Sequence, residues 1–131
     1  MRGAISVSVT PVILGDESLA AKLAWSLFIR FGLRSNVFDR MQKLSHRILP
    51  FISFQALAES RRDRFTLMSL DRFCTELGDS IYILIPTTKE YKAFIDRNIE
   101  KLENKFIIMS PAQILERKEL FPLRPTLRKD I

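Results

Sequence analysis

The sequence predicts an α/β domain of three layers, α/β/α, in which a mostly parallel five-stranded sheet carries helices on both faces. Two observations lead there. Runs such as Ile81 to Ile85 (IYILI) and Phe106 to Met109 (FIIM) are apolar without alternation, as strands covered on both faces must be. Between such runs lie stretches whose apolar residues recur every three or four positions and end in Gly, the spacing and the stop of amphipathic helices.

The first strand is read over Ile5 to Leu14, rich in Val and Ile and closed by Gly15. A helix follows, capped by Asp16 or Ser18, with Leu19, Leu23, Leu27 and Phe31 beside Ala20, Ala24 and Phe28 on a broad apolar face and Gly32 as its left-handed stop. Trp25 and Ile29 border that face, either as core or as surface for a partner. Arg34 to Asp39 is a second strand so close to the helix end that the three elements form a strand-helix-strand crossover. Met41 to Arg47 is polar and mixed, and Ile48 to Leu57, with Pro50 near its start, reads as an edge or bent strand.

After a loop over Glu59 to Arg64, Leu67, Leu70, Phe73, Cys74 and Leu77 mark a helix from Phe65 to Leu77, stopped by Gly78. The strand Ile81 to Ile85 ends at Pro86. Thr87 and Glu90 then form a capping box opening a helix with the core face Tyr91, Phe94, Ile95, Ile99 and Leu102. Phe106 to Met109 is the last strand, and Ser110, Pro111 and Gln113 make a second capping box for a short helix to Glu119. One domain is therefore expected over residues 1–119, followed by residues 120–131, with Pro122 and Pro125, as an extended tail or a truncated linker.

A chain of 131 residues supports one hydrophobic core. Its net charge of +6 would suit a nucleic-acid partner, but residues 1–47, 48–112 and 113–131 contribute +4, 0 and +2, with no basic block. Nucleic acid is therefore not an expected partner. Cys74, the single cysteine, excludes an intramolecular disulfide and a Cys-rich metal site, which fits a reducing cytoplasm. No apolar run approaches the ~18 residues of a membrane span, and Pro11 and the acidic Asp16-Glu17 argue against a signal peptide at the N-terminus.

In a doubly wound sheet, ligands bind beyond the carboxyl ends of the strands. The ligand-binding candidates are thus Gly15, Asp16 and Ser18 after the first strand, Asp39 and Arg40 after the second, and Thr87 and Thr88 after the fourth, with Glu17, Gln55 and Ser110 at the same edge. Each also has a plain structural role: Gly15 as a turn, Asp16 and Thr87 as caps, Asp39 as a partner of Arg34 or Arg40. A dinucleotide fingerprint needs G-x-G-x-x-G, whereas the turn reads GDESLA, with two glycines missing and two carboxylates where phosphates would sit. A phosphate-binding loop of the G-x-x-x-x-G-K type is absent. A phosphoryl-accepting receiver would use Asp16-Glu17 and Thr87, but no Asp ends the third strand and Ser110-Pro111 stands in place of the Lys. No G-x-S-x-G elbow exists for a serine hydrolase. His46, the only histidine, sits with Lys43 and Arg47 and forms no metal-ligand spacing with Cys74. Catalytic residues, metals and cofactors are accordingly expected to be none.

The run PVILGDESLAAKLAWSLFIRFGLRSNVFDR (residues 11–40) resembles the opening of ATP-grasp ligases of the carboxylate-amine ligase type: a strand ending in Leu-Gly, a helix rich in Ala and Leu, and the step Gly32-Leu33-Arg34-Ser35 into the second strand. ILIPTTKEYKAFIDRNIEKLENKFII (residues 83–108) is similar to a later passage of the same families. The resemblance implies a Rossmann-like pre-ATP-grasp domain, which in such ligases precedes the nucleotide-binding module and helps to shape the substrate cleft. The family's ATP-holding module lies further along the chain, and this sequence reaches Ile131 without it. The expectation is a non-catalytic accessory or substrate-side domain, standing alone, as a subunit of a split ligase or as a truncated copy. Its partner would be an ATP-grasp module or a second copy. The alternative is a small-ligand or nucleotide-binding regulatory module using the carboxyl-end cleft.

Overall fold

In the computed structural model, residues 8–41, 50–58 and 62–116 are described. The expectations for Ile5, for His46 with Lys43 and Arg47, for Ile48, for the end of the last helix at Glu119 and for the tail lie outside these residues. The order of elements is β1 (Val9–Leu14), α1 (Ser18–Phe31), β2 (Ser35–Asp39), β3 (Ile52–Ala56), α2 (Asp63–Leu77), β4 (Ile81–Pro86), α3 (Lys89–Arg97), α4 (Ile99–Leu102), β5 (Phe106–Ile108) and α5 (Pro111–Glu116). The five strands form one sheet in the order β3-β2-β1-β4-β5, and every pairing is parallel. The chain builds outward from β1 to β3, returns to the middle and builds outward again through β4 and β5. The switch point lies between β1 and β4.

Two apolar layers flank the sheet. Ile13, Val37, Ile83 and Ile85 pack with Ala20, Leu23, Ala24 and Leu27 of α1 and Ile114 of α5 on one side. Val12, Leu14, Phe38, Leu84 and Phe106 pack with Leu70 and Cys74 of α2 and Tyr91, Phe94 and Ile95 of α3 on the other. This is the three-layer α/β arrangement expected, but β5 departs from the expected cover on both faces: it is an edge strand paired with β4 alone, and its Ile107 is 45% exposed. Trp25 and Ile29 are 52% and 58% exposed, so they extend the stripe of α1 onto the surface and not into the core.

Proline is unusual in a central strand because it cannot donate to a ladder. Gly15 N–H donates to the Phe38 carbonyl, so odd-numbered residues of β1 address β2. The β1–β2 ladder begins only at Val12, so the missing N–H of Pro11 falls just before it. The Pro11 carbonyl on that side accepts from Asn36 Nδ2 at 3.4 Å.

Several boundaries differ from expectation for local reasons. Neither Asp16 nor Ser18 caps α1: Glu17 is the N-cap residue, without a side-chain cap bond, and Ser18 is the first helical residue. Gly32 ends α1 in the left-handed conformation, with φ 69° and its N–H bonded to the Phe28 carbonyl. Gly78 ends α2 differently, at φ 94° and ψ −150°. α2 starts two residues early, where Asp63 joins Arg97 and Asn98. The single helix expected from Thr87 to Leu102 is two helices broken at Asn98, whose Nδ2 donates to both the Phe94 carbonyl and Asp63 Oδ2. That side-chain bond competes with the helical backbone ladder. β3 is a parallel edge strand paired with β2 alone.

Gly15 is the most confined of the described glycines. Its φ is 106°, and a Cβ there would fall on Thr87 Oγ1, far inside contact distance. Gly32 also has positive φ, but nothing lies within 4 Å of its Cβ position. Gly15→Ala is therefore expected to cost about 2–4 kcal/mol and Gly32→Ala about 1 kcal/mol, read from urea denaturation midpoints.

Candidate functional site

The carboxyl edge of the sheet brings most of the candidate residues together, but it joins them to one another. Asp39, at the end of β2, is 5% exposed. Its Oδ2 accepts the Asp16 backbone N–H at 2.7 Å, while Oδ1 accepts the Arg40 backbone N–H at 2.7 Å and the Tyr91 hydroxyl at 2.8 Å. Burial and then the bond to Asp39 push the Tyr91 phenol well above its ordinary range, so it remains protonated and donates. Asp16 is fully buried beside it. One carboxylate thus ties the β1–α1 turn, β2 and α3 into a unit.

Across the switch point, Thr87 closes the gap between β1 and β4. Its N–H donates to the Leu14 carbonyl at 3.0 Å, and its hydroxyl donates to the same carbonyl at 2.8 Å and to the Gly15 carbonyl at 3.3 Å. Thr87 is therefore not the cap of α3. That role belongs to Thr88, whose Oγ1 accepts the Tyr91 N–H at 3.2 Å. The shift of one residue frees Thr87 to bridge the strands.

Arg40 lies over the Tyr91 ring, 5.9 Å from its centroid, and reaches Glu90 Oε1 at 3.3 Å. Its Nε is buried without a hydrogen-bond partner among the described residues. Beside it is a small cavity of about 70 Å³, where Arg40 and Arg97 face Asp63 and Glu90. Arg97 holds Asp63 by two bonds of 2.9 Å and lowers its carboxyl pKa below the ordinary 3.8. Ser18 is exposed at the rim, and Gln55 stands on β3, at the far edge from the switch point. Tyr91 was legible only as a core residue. A buried phenol needs a hydrogen-bond partner, and that is the signal that could have joined it to Asp39.

The open space lies one strand further over. A cleft of about 460 Å³ is bounded by α3 and by the turn from β5 into α5, with Thr87, Thr88, Lys89, Lys92, Met109 and Ser110 among its walls. At the opposite end of the sheet a shallow polar recess of about 440 Å³ runs past Cys74, Ser80 and Lys105. Cys74 itself is buried, and desolvation pushes its thiol up to about 11, so it is protonated near neutrality and packs as a small apolar side chain. Among the described residues, no three His, Cys, Asp or Glu side chains gather as a metal would require, and no helix is long and apolar enough to cross a membrane. No protein-family model matches this sequence, and no curated protein matches it.

Removing the Tyr91 hydroxyl (Tyr91→Phe) is expected to cost about 1–2 kcal/mol, and Asp39→Ala, which strands two backbone donors and a phenol, about 3–5 kcal/mol, by urea denaturation. The Asp63 carboxyl contributes stability that is complete above its ordinary pKa of 3.8 and is lost as pH falls through its lowered value. Asp63→Asn should therefore be less stable than the parent at pH 7, with the difference shrinking as pH falls through the lowered pKa.

Proposed function

We propose that this chain is a non-catalytic substrate-side domain of the kind that precedes the nucleotide-binding module in ATP-grasp ligases of the carboxylate-amine type. The observation that carries the reading is the sealed switch point. In dinucleotide-binding relatives of this strand order, the acid after the second strand meets a ribose and the first turn meets a pyrophosphate. Here the Asp39 carboxylate receives Asp16, Arg40 and Tyr91, and Thr87 fills the space over Gly15. Such an edge leaves no seat for a dinucleotide, which suits a domain whose nucleotide is held by another module.

The likeness of residues 11–40 and 83–108 to those ligases supports the same reading. An ATP-grasp module or a second copy of the chain would be the partner, and exposed Trp25 and Ile29 offer apolar surface for that contact. The reduced, buried Cys74 suits the cytoplasm.

A second reading, a small-ligand regulatory module, is favoured by the cleft beside α3, which has the volume of a small-molecule site. Two assays on the purified chain test these readings. Incubated with Mg²⁺-ATP, carboxylates and amines, it should release no ADP or phosphate, and steady turnover would contradict the accessory role. NADH and ATP should leave its melting temperature unchanged, although a ligand at a hundred times its Kd would add about 2.7 kcal/mol.

A further inference from the structure

We infer that the cleft between α3 and the β5–α5 turn is a site for a small organic anion with an apolar body. The inference rests on the ligand-binding reading above and names the two halves of the ligand. β4 and β5 run side by side in parallel, Leu84 paired with Ile108, and each turns at its carboxyl end into a helix. The diverging helices open a cleft of about 460 Å³. Its floor is apolar: Pro86, Ile95 and Met109 are buried, and Ile108 and Pro111 are half-buried. A floor of this kind takes an aliphatic or aromatic body.

The head of the ligand follows from which polar groups remain uncommitted. Thr88 is used as the cap of α3. Ser110 and Gln113 are joined reciprocally, Ser110 N–H donating to Gln113 Oε1 at 2.8 Å and Gln113 N–H to Ser110 Oγ at 3.2 Å, so that what these side chains add to the cleft is neutral. Thr87 is committed to β1. The charged groups of the lining are Lys89, Lys92 and Asp96, all exposed on α3, and neither lysine has an ion pair among the described residues. The two lysines stand at the N-terminal end of α3, where the helix dipole also favours negative charge, and Asp96 lies one turn beyond Lys92, so that two cations against one carboxylate leave the mouth net positive. A cationic mouth above an apolar floor selects an anion with a tail.

The test uses one body with three heads. 4-Phenylbutyrate, 4-phenylbutylamine and 4-phenylbutanol are titrated into the full chain, and binding is followed by backbone amide shifts. The acid should bind about tenfold more tightly than the amine, as two exposed charge contacts allow, with shifts confined to residues 87–96 and 108–113. The double variant Lys89→Gln/Lys92→Gln alters only exposed side chains, and it should erase the preference while the alcohol still binds. Equal affinity for acid and amine would overturn the anion inference and leave the ligand cleft standing. Binding of none of the three, or shifts elsewhere, would overturn both.

Discussion

The Asp39 carboxylate is the interaction on which the carboxyl edge of this sheet depends. Its two oxygens gather donors from the β1–α1 turn, from the residue after β2 and from α3, the last of them fifty-two residues from Asp39 in sequence. A buried carboxylate is costly unless it is fully hydrogen-bonded, and three donors supply that compensation. With the β1–α1 turn drawn toward β2 at Asp16, Gly15 passes directly under Thr87, and no side chain fits there. The geometry of the switch point follows from that one anchor.

The same anchor divides the edge into a closed half and an open half. Over β2, β1 and β4 the chain's own groups occupy the space that this architecture elsewhere leaves for a ligand. Over β4 and β5 the strands end without such a bridge, and α3 and α5 diverge around an apolar floor. α5 is held in turn by Arg30 of α1, which donates to the Ile114 carbonyl at 2.8 Å. One wall of the cleft is thereby fixed to the helix layer opposite α3.

Much of the architecture was legible because buried parallel strands cannot alternate. IYILI states its burial on both faces, and the four-residue spacing of Leu19, Leu23 and Leu27 states which side of α1 meets the sheet, whereas FIIM belongs to an edge strand that leaves Ile107 exposed. Gly32 was legible as a left-handed stop because no contact competes with its intrinsic preference. What was not legible depends on partners distant in sequence. Thr87 and Thr88 are both plausible caps, and only the Leu14 carbonyl, seventy-three residues away, draws Thr87 to the strands. Asn98 breaks a helix that its neighbours would continue, because Asp63 of α2 gives its amide a second acceptor. Topology gathers the edge residues Gly15, Asp16, Asp39 and Thr87 at one place, but the bonds of Asp39 to Asp16 and Tyr91 and of Thr87 to Leu14 and Gly15 needed three-dimensional distances.

Amide hydrogen exchange at Asp16 tests the sealed switch point most directly. The N–H donates to a buried side chain and belongs to no helix or strand ladder, so its protection reports the Asp39 anchor alone. The account predicts that it exchanges as slowly as the amides of Ile13 and Ile85 in the central strands, through global unfolding only. Exchange at the rate of an open loop, with β1 and β4 still protected, would show that the crevice between β1 and β4 opens in the native protein and would contradict the account.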